Sequence, residues 1–501
     1  MLIRKVWILT LAGLLLGGCS SIPKVLGSQP MRFECRNLAN YVHDYEHRGF
    51  AELQKDAYAP HDPRRLDTTV KGIQDLVDDI AFDSTAQESR PMRMLALSGG
   101  GQWGAYGAGF LDAMPADQKR FDVVTGISTG AIQSLFIGAG DYGLMRRLYG
   151  LEDIGNPAFS NRLNLVTRGS EHNIGPLREM LNHQLYRRGE VGLLHKIANG
   201  KDTPRIIIGL VEGFSTRLKV VDLTAYVREN YSAGDGPGEH EARTRLADCV
   251  AGVVLGSSSI PLRLTPVQID YGHGKDDRYA MSTFMDGGVR LSVIDEFVEE
   301  SAELAYAAAW CRKLDGGDCT VGNLQHEQQK TGFESPPKPQ IFIVRNGPTI
   351  VPRGSLDTEI DRDPDAYVAA LRGYSVLVNQ NELASITELQ SRNRYADLYF
   401  TSADGYDWIK RKDTPVSETY VCPPRDEKNY FDGNFMRCLR RYGAWKYKAS
   451  QWQRLSFADE KDGILVTDGA PLVPHAAIVK RADGLLERKS YASEGGESNA
   501  R

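Results

Sequence analysis

Between Met94 and Gly130 the chain reads MLALSGGGQWGAYGAGFLDAMPADQKRFDVVTGISTG, and two units of the same kind stand in it end to end. Met94-Leu95-Ala96-Leu97 is a short apolar run that stops at glycines, and Ala105 to Met114 follows with the character of a helix. Asp122-Val123-Val124-Thr125 is a second short apolar run, again closed by a glycine turn, and Thr129 to Ala139 reads as a second helix. Strand, glycine turn, helix, repeated, is the pattern of a parallel α/β sheet. Further apolar runs at Arg205–Gly209, Leu218–Val221 and Gln340–Arg345 supply more strands. The expected fold class is α/β: a three-layer α/β/α sandwich over residues 92–346.

Outward from that unit the composition changes on both sides. Residues 19–91 are polar and punctuated by Pro60, Pro63 and Pro91, and they read as a lead-in with a helix near Val70–Ile80. Residues 347–501 read as a mainly helical C-terminal extension. Its clearest element spans Tyr374–Tyr395, where Val378, Leu383, Ile386 and Leu389 recur near helical spacing. Residues 488–501 are small and polar, as in a disordered tail. No internal repeat is visible.

The whole chain has 501 residues, 41% of them apolar and 25% charged, with a net charge of -5. That is the balance of a folded globular protein too long for one compact core. Without a basic excess, nucleic acid is not the expected partner. The first residues stand apart. Arg4 and Lys5 precede an apolar run from Val6 to Leu16, which is too short to span a bilayer and reads as a signal peptide over 1–18. Its end, Leu16-Gly17-Gly18-Cys19, resembles a bacterial lipobox, in which the cysteine is acylated and becomes the first mature residue. Several acyl chains on Cys19 would hold the protein firmly to a membrane, where one would not. Ser20 stands where an aspartate would argue for the inner membrane, so the outer membrane is the expected address, facing the periplasm or the surface.

Export changes how the remaining cysteines read. Cys35, Cys249, Cys311, Cys319, Cys422 and Cys438 are an even set, which in an oxidising compartment suggests disulfides. Cys311 with Cys319, and Cys422 with Cys438, are near enough in sequence to close small loops, but the pairing stays open. No cysteine or histidine cluster has zinc spacing, so no structural metal is expected.

Three stretches carry the chemistry. Ser98-Gly99-Gly100-Gly101-Gln102-Trp103-Gly104 lies between a strand and a helix, where amides without side chains can face an anion. A dinucleotide site would want an acid at the end of the next strand. Asp122 stands at that strand's start instead, and no Walker lysine is in place. Gly126-Ile127-Ser128-Thr129-Gly130 is a GxSxG elbow, in which Gly126 and Gly130 allow the sharp turn that exposes Ser128 at the end of the strand. The third stretch is Met285-Asp286-Gly287-Gly288-Val289, preceded by the small-residue turn Gly256-Ser257-Ser258-Ser259-Ile260-Pro261.

Together, and in this order, these stretches resemble the patatin-like phospholipase family over about residues 94–300. The resemblance makes Ser128 the nucleophile, Asp286 its dyad partner, and Gly99, Gly100 and Gly101 the oxyanion loop, with the Gly100 and Gly101 amides as the expected donors. It implies hydrolysis of lipid acyl esters through an acyl-enzyme, with membrane lipids as substrate and no cofactor or metal. Asp286 is followed by Gly-Gly where Gly-Ala is frequent, and Trp103 stands where many members carry a basic residue. Trp103 and the apolar side of the 374–395 helix are candidates for docking on lipid.

A serine hydroxyl needs a base within about 3 Å, so the histidines were weighed against Asp286. After the acid, the order of a Ser-Asp-His triad leaves His326 and His475. The first lies in a glutamine-rich loop and the second follows Pro474, so both read as surface residues. Asp286 acting alone needs a desolvated pocket, because a solvated aspartate has a pKa near ~3.9. Two other readings stay open: a soluble-ester or thioester hydrolase with the same dyad, and a catalytically silent lipoprotein serving as a scaffold or lipid-binding module. The oligomeric state cannot be read from the sequence.

Overall fold

The computed structural model describes residues 30–45, 71–72, 76–77, 79–80, 90–151, 159–160, 170–234, 236–271, 281–295, 297–298, 301–302, 305, 337–351, 366–392, 396–406, 422–423, 431–450 and 452–455. The expected signal peptide and Cys19, the Cys311 and Cys319 loop, His326, His475 and the 488–501 tail lie outside them. The strands in chain order are Met31–Glu34 (β1), Val42–Tyr45 (β2), Lys71–Gly72 (β3), Arg93–Leu97 (β4), Val123–Ile127 (β5), Phe159–Ser160 (β6), His172–Asn173 (β7) and Arg205–Glu212 (β8). They continue with Leu218–Asp222 (β9), Val267–Asp270 (β10), Ser282–Asp286 (β11), Gln340–Arg345 (β12), Asp397–Ser402 (β13) and Gln453–Leu455 (β14). The helices are Gly104–Asp112 (α1), Thr129–Gly138 (α2), Tyr142–Leu148 (α3), Gly175–Leu185 (α4), Leu193–Asn199 (α5), Leu223–Asn230 (α6), Pro237–Ser257 (α7), Ala366–Arg392 (α8) and Gly433–Ser450 (α9).

All strands but the short β6–β7 pair join one 12-stranded mixed sheet, ordered β1-β10-β11-β8-β5-β4-β12-β13-β14, with β9 also on β8 and β2 linking β9 to β3. Its centre is parallel: β8, β5, β4, β12 and β13 pair in that sense. Strands covered on both faces need apolar side chains at every position, and their alternation sorts those side chains into two cores. Leu95, Leu97, Val124, Ile206, Ile208, Phe342 and Val344 enter one core, which α1 to α7 and α9 cover. Met94, Ala96, Val123, Ile207, Ile341 and Ile343 enter the other, closed by Leu76, Val77 and Ile80, by Leu291, Val293, Ile294, Phe297 and Val298, and by Ile386 and Leu389 of α8. The three-layer α/β/α sandwich is the architecture found.

Both flanks belong to this body. The segment read as a lead-in places β1 parallel to β10, with Phe33 buried among α7 side chains, and Cys35 bonded to Cys249. Strand β1 was not visible in the sequence because it buries only one side chain in four residues (Phe33), too little to register as a run. The segment beyond 346 supplies the long helices α8, which overlaps the helix expected over 374–395, and α9, and its strands β13 and β14 extend the central sheet. Helix α9 packs on α1 through Phe435, Met436, Leu439 and Tyr442 in the shared core, beside the Cys422–Cys438 disulfide. Among the described residues near Val70–Ile80, Lys71–Gly72 is a strand, and Leu76–Val77 and Asp79–Ile80 are helical.

Candidate active site

Strand β8 brings the two chemical motifs together. Its residues 205–209 pair with β5 in parallel, and its residues 210–212 pair with β11 in the opposite sense. Because β9 pairs with 207–211, overlapping both ranges, β9 must hold one edge of β8 while β5 and β11 share the other. The two strands therefore end facing each other: Ile127 lies opposite Gly209, and Asp286 opposite Leu210. Ser128 is the next residue along, so the serine and the aspartate meet at one point of the sheet from opposite directions.

At that point the chain turns sharply. Ser128 has φ 56° and ψ -122° before α2 begins at Thr129. A non-glycine residue held there stores on the order of 1–3 kcal/mol of backbone strain. The turn is possible because α2 lies against the strand: a β-carbon on Gly126 would sit 2.5 Å from the Gly130 carbonyl oxygen. The Ser128 amide donates to the Ser257 hydroxyl at 2.9 Å, and that hydroxyl donates to the Gly209 carbonyl at 2.6 Å. The serine-rich stretch is thus the last turn of α7 and the residues after it, clamping the elbow from one side. It holds the acid as well, since the Asp286 amide donates to the Ser259 carbonyl at 3.0 Å.

Ser128 and Asp286 are 3% and 4% exposed. Burial pushes the Asp286 carboxyl up to about 6, against the opposing effect of its hydrogen bonds with Ser128 and the Gly288 amide; the negative charge of Glu382 adds to the rise. The Gly288 N–H donates to Asp286 Oδ1 at 2.8 Å, which fixes the carboxylate. The result is a buried acid whose basicity has been raised, set beside a strained serine.

The glycine loop lies beside them. A β-carbon on Gly99 would come within 3.2 Å of Ser128 Cβ, so the loop passes against the serine. Gly100 has φ +146°, and a β-carbon there would fall 1.8 Å from the Asn346 carbonyl oxygen, so only glycine fits. Among the described residues, no hydrogen bond uses the amides of Gly99, Gly100 or Gly101. Amide groups left open beside a buried serine are what an oxyanion would require. Asn346 fixes the loop's outer wall. Its amide donates to Ser98 Oγ at 3.0 Å, and its side-chain nitrogen donates to the Ser98 carbonyl and to Gln133 Oε1, each at 2.8 Å.

Asn346, Gln133, Arg345 and Glu382 were not found from the sequence. Asn346-Gly347 directly after the β12 run was the one visible signal, a turn at the end of a strand that borders the glycine loop. Asp122 is accounted for: Arg90 grips both its oxygens at 2.9 and 2.6 Å at the opposite end of β5 from Ser128. Trp103 does not offer its ring to a lipid. It is buried, with edge contacts to Tyr406 and Phe435 at 4.9 Å each. The aromatic side chains that bury it come from beyond residue 400, too far in sequence to be foreseen.

The family model described as patatin-like phospholipase matches residues 95–294. The chain carries a patatin-like domain. The matched segment contains the glycine loop, Ser128 and Asp286. Among solved structures the chain is similar to VipD from Legionella pneumophila, at 12% identity over 72% of this chain and 68% of that one, with a TM-score of 0.26. No curated protein matches the chain.

Proposed function

We propose that this protein hydrolyses acyl esters of phospholipids or lysophospholipids with Ser128 as nucleophile and Asp286 as the sole base. The observation that carries this reading is a buried Asp286, its carboxyl raised to about 6, brought to the same point of the sheet as the strained Ser128. In the acylation step, the Ser128 hydroxyl gives its proton to Asp286 as its oxygen bonds the acyl carbon. The Gly100 and Gly101 amides hold the oxyanion; losing one such donor typically costs about 3–4 kcal/mol of transition-state stabilisation. The intermediate collapses to acyl-Ser128 as the alcohol leaves with the proton from Asp286. In the second step Asp286 takes a proton from water, the hydroxide attacks the acyl carbon, and the fatty acid departs as Ser128 recovers its hydrogen. Side chains and backbone amides suffice for every transfer.

The setting belongs to the same proposal: a lipoprotein held by acylated Cys19 in a bacterial outer membrane, facing the periplasm or the surface. Two disulfides, Cys35–Cys249 and Cys422–Cys438, fit an exported chain. No helix of the described residues is long and apolar enough to cross a membrane.

The test is fatty-acid release from phospholipid vesicles by the purified protein beside Ser128→Ala and Asp286→Asn. Release that both substitutions abolish, with folding intact by circular dichroism, is the expected result. Activity surviving in Asp286→Asn would return the base to His326 or His475. A parent inert on lipids and on simple esters would favour a scaffold or lipid-binding module.

A further inference from the structure

One buried acid near Ser128 has no part in the scheme above. Glu382 lies on α8, outside the segment 95–294 that matches the family, and is buried. Its Oε2 pairs with Arg345 Nη2 at 2.9 Å, and that same nitrogen donates to Asn379 Oδ1 at 2.6 Å. Arg345 ends β12, and the next residue, Asn346, fixes the outer wall of the glycine loop. The Ser98 hydroxyl at the root of that loop also faces the Glu382 carboxylate.

The residues around Glu382 on α8 reach the other half of the site. Val378 lies one turn before it, close enough that a β-carbon on Gly288 would meet it at 3.9 Å. Asn381 donates to the Val289 carbonyl at 2.9 Å, and the Ser385 hydroxyl accepts from the Ser292 amide at 3.4 Å. One stretch of helix thus grips the loop after Asp286 and, through Arg345, the loop before Ser128.

This pair is a poor choice for stability alone. Among the described residues, Glu382 Oε1 and Arg345 Nε and Nη1 have no hydrogen-bond partner. A buried ion pair with unmet hydrogen-bonding capacity is commonly less stabilising than apolar packing of the same volume. Resting on the proposed roles of Ser128 and Asp286, we propose that Glu382 is a positioning residue for this site. It holds the Asp286 loop and the glycine loop in register and sets the charge that Asp286 faces. Among the described residues, the other elements packed on Asp286 supply no competing charge. Strands β5 and β8 offer Ile127, Gly209 and Leu210, α7 and its end offer serines, and Arg290 is turned outward to the Thr216 carbonyl at 2.8 Å. Burial raises the Glu382 carboxyl, Arg345 opposes that rise, and Glu382 in turn raises Asp286.

The experiment follows hydrolysis of a soluble short-chain ester and inactivation by a fluorophosphonate, each across pH. The full-length parent is compared with Glu382→Gln, Glu382→Asp and the double variant Glu382→Gln with Arg345→Met. For Glu382→Gln, kcat should fall about tenfold to a hundredfold with KM unchanged. The acidic limb of its profile should move to lower pH, because Asp286 ionises more easily without a like charge beside it. Glu382→Asp should recover part of the rate. The double variant removes both charges and avoids leaving a buried guanidinium uncompensated, so it carries the test if Glu382→Gln does not fold. It should keep the reduced kcat, with its acidic limb between those of the parent and Glu382→Gln. Folded variants with the parent's kcat and the parent's acidic limb would overturn the role of Glu382. A parent that reacts with neither ester nor phosphonate would instead overturn the reading of Ser128 and Asp286.

Discussion

A carboxylate that must accept a proton from a serine is useful only if it is a better base than an aspartate in water, and Asp286 becomes one by being taken out of water. The same burial has a thermodynamic signature. The folded carboxyl titrates at about 6, whereas an unfolded aspartate titrates near ~3.9. Between those values the folded protein binds the proton and the unfolded chain does not. Stability therefore falls as pH rises through that window, by on the order of 3 kcal/mol once both carboxyls are ionised. Asp286→Asn removes the buried charge and keeps an oxygen for the Gly288 amide, so it should raise the melting temperature at pH 7 and leave it nearly unchanged at pH 4. Activity should run the other way: kcat/KM of the parent rises with pH through about 6 and levels off above, where Asp286 is ionised. Thermal unfolding of parent and variant at the two pH values checks the first statement. A variant that melts lower at pH 7 would show that the carboxylate is stabilised in the fold.

At the scale of elements, legibility followed the period of the pattern. Strand β12 was read from Gln340 to Arg345 as it stands, and the helix starting at Thr129 was placed correctly, because parallel central strands and the helices after them carry long apolar runs and sharp glycine boundaries. Strand β11, which delivers Asp286, was invisible: its five residues are only half buried and carry no run. Helix α7 was missed except for its final serines, since its first turns are polar and exposed and only the later ones enter the core. Ser128, Asp286 and the glycines could be named because local turns require those residue types; Asn346 and Glu382 could not, because their roles depend on Ser98, 248 residues before Asn346, and on Asp286, far before Glu382 in the chain. Helix α8 shows a further division. Ile386 and Leu389 are buried against the sheet, whereas Leu377 is 71% exposed, Val376 is 47% exposed, and Ile350, next to the Thr349 that meets Asn379, is 78% exposed. Val289, whose carbonyl accepts from Asn381, is half-exposed beside them. Apolar side chains gathered at the rim of a buried hydrolytic site suit contact with a lipid surface. Leu377→Ser combined with Ile350→Ser should weaken vesicle binding on the order of tenfold, as expected for losing one buried aliphatic side chain or more. Hydrolysis of a monomeric soluble ester should be unaffected. Equal losses on both substrates would place these residues in the folding of the site and not in docking.

Across the whole molecule, the matched domain is completed by chain from both ends. Strand β1 and the Cys35–Cys249 disulfide tie the N-terminal segment to α7, the helix whose last serines clamp Ser128 and Asp286. The Cys422–Cys438 disulfide, in the C-terminal segment, braces the stretch leading into α9 and so the packing of α9 on α1. The sequence offered the second pairing as a near neighbour in the chain and gave no hint of the first, whose cysteines are 214 residues apart. That separation makes the first bond the stronger test of the architecture. Linking distant residues removes more freedom from the unfolded chain than linking near ones, with typical stabilisation of about 2–4 kcal/mol and the upper end expected for long loops. Cys35→Ser and Cys249→Ser should each lower the melting temperature by a similar amount, and the double substitution should lower it no further, because either single change already breaks the bond. Incubation with a thiol reductant should bring the parent down to the same level if the Cys422–Cys438 bond is first removed by substitution in every protein compared. Ester hydrolysis measured well below the new melting temperature should persist, since neither sulfur contacts Ser128 or Asp286. Additive losses from the two single changes would mean that the thiols contribute by packing alone. In that case the N-terminal strand would be held by its register on β10 and by the burial of Phe33, without a covalent tie.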